Sequence, residues 1–186
     1  MKNICSPLLL LLLALPLSGC HRPTASPEAP AADSAAFVPG QPIGDREVTL
    51  PYTACLGGHT YHISLHRQPA DSLPPVSDSY GQPYIDNIVD LSIQRDSRPL
   101  LSRRFTKADF RHLLSPADAT YGILCGMSFD AARSTASELV FGAQVSEPGC
   151  EGGSLFRIVV ATAGGTTAIL RDEDLLAGEP TPEPAD

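Results

Sequence analysis

The chain has 186 residues, 42% of them apolar and 18% charged, which is enough for one globular domain. Its formal net charge of -8 argues against a nucleic-acid partner and against electrostatic adhesion to an anionic bilayer, so any membrane attachment must be covalent. Aromatic content of 6% with no tryptophan argues against a sugar-stacking platform.

The first elements are those of an export signal. Lys2 supplies positive charge, Leu8 to Leu13 are six consecutive leucines, and Ala14, Leu15, Pro16 and Leu17 extend the apolar run. That run is shorter than the roughly 20 residues a helix needs to span a bilayer, and it fits the apolar region of a secretory signal. It ends in Leu17-Ser18-Gly19-Cys20, which resembles the lipobox of bacterial lipoproteins. The resemblance implies a signal peptide over 1–19, cleavage before Cys20, and lipid attachment there through a diacylglyceryl thioether and an acylated amino terminus, typically palmitate. The alternative is an ordinary signal peptide with an incidental cysteine. His21 and Arg22 follow, with neither an aspartate nor an acidic cluster after Cys20. The expected address is therefore the cell envelope, at the periplasmic face of the outer membrane.

Residues 20–44 read as a tether. Pro23, Pro27, Pro30, Pro39 and Pro42 stand among alanines and serines, so the segment offers little to bury. At about 3.1 Å per residue in a polyproline-like form it would reach on the order of 70 Å. A globular domain is expected over 45–177, followed by a disordered acidic tail over 178–186.

Alternation with period two dominates the domain. In His59–His66, Tyr61, Ile63 and Leu65 share one face; in 88–94, Val89, Leu91 and Ile93 do. Over 121–129 the apolar set reads Tyr121, Ile123, Cys125, Met127 and Phe129. Leu139, Phe141, Ala143 and Val145 form the next face, and Phe156, Ile158 and Val160 the last. These are half-buried antiparallel strands. Gly57-Gly58, Asp96-Ser97 and Gly164-Gly165 supply hairpin turns. One helix is expected over Lys107–Leu114, with Thr106 as N-cap, Asp109 in its first turn, and a buried stripe of Phe110, Leu113 and Leu114. The expected fold is mainly β: an antiparallel β-sandwich or partly open barrel of seven to eight strands with one short helix.

Candidate chemistry is sparse. Cys55 and Cys150 lie beside glycine-rich turns and can pair in an oxidising compartment, although three cysteines allow three pairings. Cys125 falls on an apolar face, where a thiol is usually inert. His62 and His66 share a strand face but stand about 13 Å apart, too far for one metal. The proline-rich acidic stretch 71–90 is a long connection of the kind that often carries function. Its Asp78, Asp86 and Asn87 offer oxygen ligands suited to calcium, though not at EF-hand spacing. The competing reading is an ordered strap in which Asp86-Asn87 bonds the backbone where the next strand begins. There is no nucleophile elbow, zinc-helix motif, phosphate loop or dinucleotide fingerprint, and no cofactor is implied.

Taken together, Tyr61-His62-Ile63-Ser64-Leu65, Asp86-Asn87-Ile88-Val89-Asp90-Leu91-Ser92-Ile93, Arg104-Phe105-Thr106-Lys107-Ala108-Asp109-Phe110 and Leu139-Val140-Phe141-Gly142-Ala143 resemble a family of Bacteroidetes lipoproteins built on a domain of unknown function. The resemblance covers most of 50–170 and implies a β-rich fold without assigning catalytic residues. Cys150 and its glycines stand where that family leads one to expect a more acidic loop. The expected role is a monomeric, non-catalytic binding module with an envelope protein, glycan or small ligand as partner. The alternative is a periplasmic hydrolase using the loop 71–90 or the histidine strand 59–66.

Overall fold

In the computed structural model, residues 40–172 are described. The export signal, Cys20, most of the tether and the acidic tail lie outside the described residues. Among the described residues ten strands form three antiparallel sheets, with no closed barrel. In chain order, β1 (Val48–Leu56) and β2 (His59–Pro69) lead to two short strands, β3 (Val76–Ser77) and β4 (Pro83–Tyr84). Then come β5 (Asn87–Arg95) and β6 (Arg98–Phe105), a 3-10 turn (Lys107–Phe110) and α1 (Pro116–Tyr121). The chain finishes with β7 (Ile123–Asp130), β8 (Glu138–Ser146), β9 (Ser154–Ala161) and β10 (Thr167–Arg171). The first large sheet has the order β1-β2-β5-β6, the second β10-β9-β8-β7, and β3-β4 stand apart as a hairpin. Among the described residues no helix is long and apolar enough to cross a membrane.

The alternating faces meet as the core. Tyr61, Ile63, Leu65, Val89, Leu91 and Ile93 from the first sheet pack with Leu139, Phe141, Val145, Phe156, Ile158 and Val160 from the second. All twelve are nearly or fully sealed from water, which is the main stabilising term of such a sandwich. The hairpin turns follow their sequence signals. Gly57-Gly58 and Asp96-Ser97 each carry two successive positive φ angles, as a two-residue type I′ turn requires. Asp96 supports its own turn: its carboxylate accepts from the Thr60 amide at 2.9 Å and lies 2.6 Å from His59 Nδ1. Pro51 sits in β1, an edge strand, where a missing amide donor is tolerated.

Three expectations need correction. The helix expected over Lys107–Leu114 is only a 3-10 turn through Phe110. Asp109 does cap it, accepting from the Thr106 amide at 2.9 Å. A second start, Ser115-Pro116, then begins α1, with the Asp118 amide donating to Ser115 Oγ at 3.1 Å. Ser115 is extended, as a residue before proline must be, so no helix runs through it. Tyr121, read as the first residue of a strand, is instead the last of α1.

The second correction concerns β7. Its register against β8 shifts between Leu124 and Gly126, so Cys125 is the extra residue of a β-bulge. Leu124, not Cys125, reaches the core, at 0% exposure. The third concerns the tether. Ile43 already belongs to the fold: its amide donates to the Pro83 carbonyl at 3.0 Å and its carbonyl accepts from Ile85 at 2.9 Å.

Candidate functional site

The long connection between β2 and β5 is an ordered strap whose ends are tied together. Pro69 pairs with Asn87 in the β2–β5 ladder, and the Ala70 amide donates to the Asp86 carbonyl at 3.0 Å. Its tip is a turn organised by Asp78, whose Oδ1 accepts from the amides of Tyr80 at 2.9 Å and Gln82 at 2.8 Å. The Ser79 amide pins that tip to Glu147 Oε1 at 2.7 Å. Three prolines in the strap, Pro74, Pro75 and Pro83, remove amide donors and restrict φ, so the segment holds an open curve with only the short β3-β4 hairpin for support.

Between this strap and the helical connection lies a cleft of about 440 Å³. That is the size of a small-molecule site. Leu73, Pro74, Pro75 and Val76 form one wall. Lys107, Ala108 and Arg111 from the 3-10 region, with Leu114, Ala119 and Thr120, form the other. Asp86 also lines it, at 5% exposure. Its Oδ1 accepts from the amides of Leu124 and Asn87, both at 2.8 Å. Among the described residues Oδ2 accepts no hydrogen bond. Burial pushes the Asp86 carboxyl above the ordinary aspartate range, against the opposing pull of the two amides and of Lys107.

Lys107 is held in place by its own bonds. Its Nζ donates to the Gly122 carbonyl at 2.7 Å and lies 3.5 Å from that of Ala119, so it caps the carbonyl end of α1. Behind Asp86 a polar network joins the two sheets. Asn87 Nδ2 donates to Asp45 at 2.8 Å and to the Leu124 carbonyl at 2.9 Å. Arg67 Nη1 donates to the Cys125 carbonyl, which the bulge turns away from the ladder, and Nη2 donates to the Arg46 carbonyl at 3.1 Å. The cleft floor is therefore fixed by strand ends, not by a free loop.

Residues 41–168 match the model of a domain of unknown function, DUF4738. The chain belongs to the DUF4738 family. No curated protein matches it. The DUF4738 match begins just before Ile43, the residue that ties the segment ahead of β1 to the strap, and runs into β10.

The residues singled out in the sequence are distributed across the DUF4738 domain as follows. Asp78, Asp86 and Asn87 are not brought together as a calcium site. Asp78 is absorbed in the strap tip, Asp86 stands at the cleft, and Asn87 presents its amide nitrogen to Asp45. Among the described residues no three His, Cys, Asp or Glu side chains converge on a metal position. Cys55 and Cys150 do not form the disulfide weighed for them; both are free and exposed. Cys55 adjoins Gly57, which packs on Ala136 ahead of β8, whereas Cys150 follows β8. They are separated by roughly the length of that strand, on the order of 30 Å, against the about 7 Å limit between bridged Cα atoms. Cys125 Sγ lies 3.0 Å from Ser146 Oγ.

The three histidines of β2 are engaged away from the cleft. His59 meets Asp96, His62 lies 3.4 Å from Thr53 Oγ1, and His66 Nε2 lies 2.7 Å from Glu47. None lines the cleft with Asp86. Lys107, Arg111 and α1 are the parts of the site that sequence reading missed. The Ser115-Pro116-x-Asp118 start was the signal available for α1.

Proposed function

We propose that this chain is a lipid-anchored protein of a Bacteroidetes envelope whose DUF4738 domain is a non-catalytic binding module, with the strap cleft as its site. The lipobox at Leu17–Cys20 and the proline-rich tether support the anchor. The absence of an aspartate after Cys20 supports the periplasmic face of the outer membrane, where the domain works as a monomer. Labelling cells with an alkyne analogue of palmitate should tag the wild-type protein and leave Cys20→Ser untagged. Equal labelling of both would remove the anchor from the reading.

The observation that carries the binding role is Asp86: a carboxylate 5% exposed, with one oxygen fully used by the backbone and the other left to an apolar cleft. A largely buried carboxylate whose second oxygen opens on the cleft with no protein donor, and with only the charge of Lys107 to offset it, is costly to keep, and a fold that holds one there presents it to an incoming group. The neutral apolar fluorophore N-phenyl-1-naphthylamine should bind saturably, one per chain. Ala108→Trp, which fills the cleft, should abolish that binding with the circular dichroism spectrum unchanged. Binding that Ala108→Trp leaves intact would place the site elsewhere.

A further inference from the structure

The polar groups at the cleft define what it takes, an inference that rests on the binding reading above. Asp86 needs a donor at Oδ2, and the protein supplies none among the described residues. The cationic wall residue Lys107 donates its ammonium to the Gly122 carbonyl at 2.7 Å and lies 3.5 Å from that of Ala119, and it acts on Asp86 through its charge and not through a hydrogen bond. Pro74 and Pro75 have no amide to give, and Leu73 and Leu114 offer only hydrocarbon from their side chains. Arg111 presents the opposite need. Its Nε donates to His112 Nε2 at 3.0 Å, which leaves the two terminal nitrogens of the guanidinium for an acceptor. The cleft thus pairs a buried anion with a cation that is still able to donate, across an apolar wall.

We propose that the cleft binds an apolar zwitterion of the amino-acid or short-peptide class, its ammonium on Asp86 Oδ2, its carboxylate at Arg111, and its side chain against Leu73, Pro74 and Leu114. A hydrogen bond to a charged group contributes about 1.5–3 kcal/mol, which is on the order of ten-fold or more in affinity per end.

The test is calorimetric titration of the detergent-solubilised full chain with Leu-Leu, N-acetyl-Leu-Leu and Leu-Leu amide. Leu-Leu should bind about ten-fold or more tightly than either blocked peptide. Asp86→Asn retains an acceptor for the Leu124 and Asn87 amides, so it should fold while losing the preference for the free amine. Arg111→Gln should lose the preference for the free carboxylate. Equal binding of all three peptides would overturn the zwitterion assignment while leaving an apolar binding site. So would binding of dihexanoyl-phosphatidylethanolamine in preference to Leu-Leu, which would make the ligand a lipid. Failure of every peptide to bind or to displace the fluorophore would overturn the assignment alone; failure of the fluorophore itself to bind would remove the cleft reading as well.

Discussion

Replacing Arg133 by methionine is expected to destabilise the domain by about 3 to 5 kcal/mol, because it strands a buried charge. Asp172 is 0% exposed and follows β10, one edge of the second sheet. Arg133 follows β7, the other edge, and its Nη1 donates to Asp172 Oδ1 at 2.9 Å, while Nη2 lies 2.8 Å from Oδ2 as an ion-pair contact without hydrogen-bond alignment. The same guanidinium donates through Nε to Asp130 at 2.6 Å. One planar fork therefore ties the ends of both edge strands, across a sheet coiled enough to let them meet. Arg133→Lys keeps the charge but loses the fork, and should fall between wild type and methionine. Arg133→Met combined with Asp172→Leu should recover much of the loss, since a hydrophobic replacement removes both charges. Urea denaturation at neutral pH measures all four proteins. A loss below about 1 kcal/mol for Arg133→Met would mean that the pair behaves as an exposed one.

The same cluster sets an acid dependence. Burial would raise the Asp130 carboxyl, but the Arg133 amide and guanidinium outweigh it and hold the group below the ordinary aspartate range. A depressed folded value stabilises above the unfolded one, near 3.9, and that stabilisation is lost as pH falls through the lower folded value. Wild type should therefore lose more stability than Arg133→Met as pH drops through this window.

Phe110→Ala is expected to cost about 3 to 5 kcal/mol, as for other large aromatics removed from a packed core. Phe110 is 0% exposed, with its ring centroid 4.7 Å from that of Phe156 and 6.4 Å from that of Phe105. A four-residue 3-10 turn has almost no stability of its own, so this ring holds the whole connection against the sandwich. The neighbouring residues Lys107, Ala108 and Arg111 are cleft wall. Phe110→Ala should consequently weaken fluorophore binding even at temperatures where the sheets remain folded. Phe110→Leu, which refills most of the volume, should retain both properties in large part. Thermal melts followed by circular dichroism, with parallel fluorophore titrations, separate the two effects. Normal binding by a destabilised Phe110→Ala would detach the cleft wall from this packing.

Much of this fold was legible in the sequence because strand faces are a local property. Tyr61, Ile63 and Leu65 alternate with polar residues, and a pleated strand can bury them only on one face. The same logic failed at Cys125, where one extra residue in β7 exchanges the faces and puts Leu124 into the core. Periodicity cannot see a bulge whose cause is a partner strand. It also drew one helix through Leu114, since Phe110, Leu113 and Leu114 have helical spacing, and it missed α1, which Ser115-Pro116 starts anew.

The site was less legible, for a physical reason. Asp86 was visible as an oxygen ligand, and the strap as a long proline-rich connection. Whether a carboxylate is a ligand, a cap or a reserved charge depends on what surrounds it, and its surroundings come from Leu124, Lys107 and α1, 21 to 38 residues along the chain. The sequence by itself determined the fold class, the inward face of most strands and the turns between them, because those follow from neighbours one to four residues apart. Only the tertiary structure decided that Asp78 turns a hairpin, that Asn87 bonds a strand end and that Asp86 faces an apolar cleft, because burial is set by long-range packing.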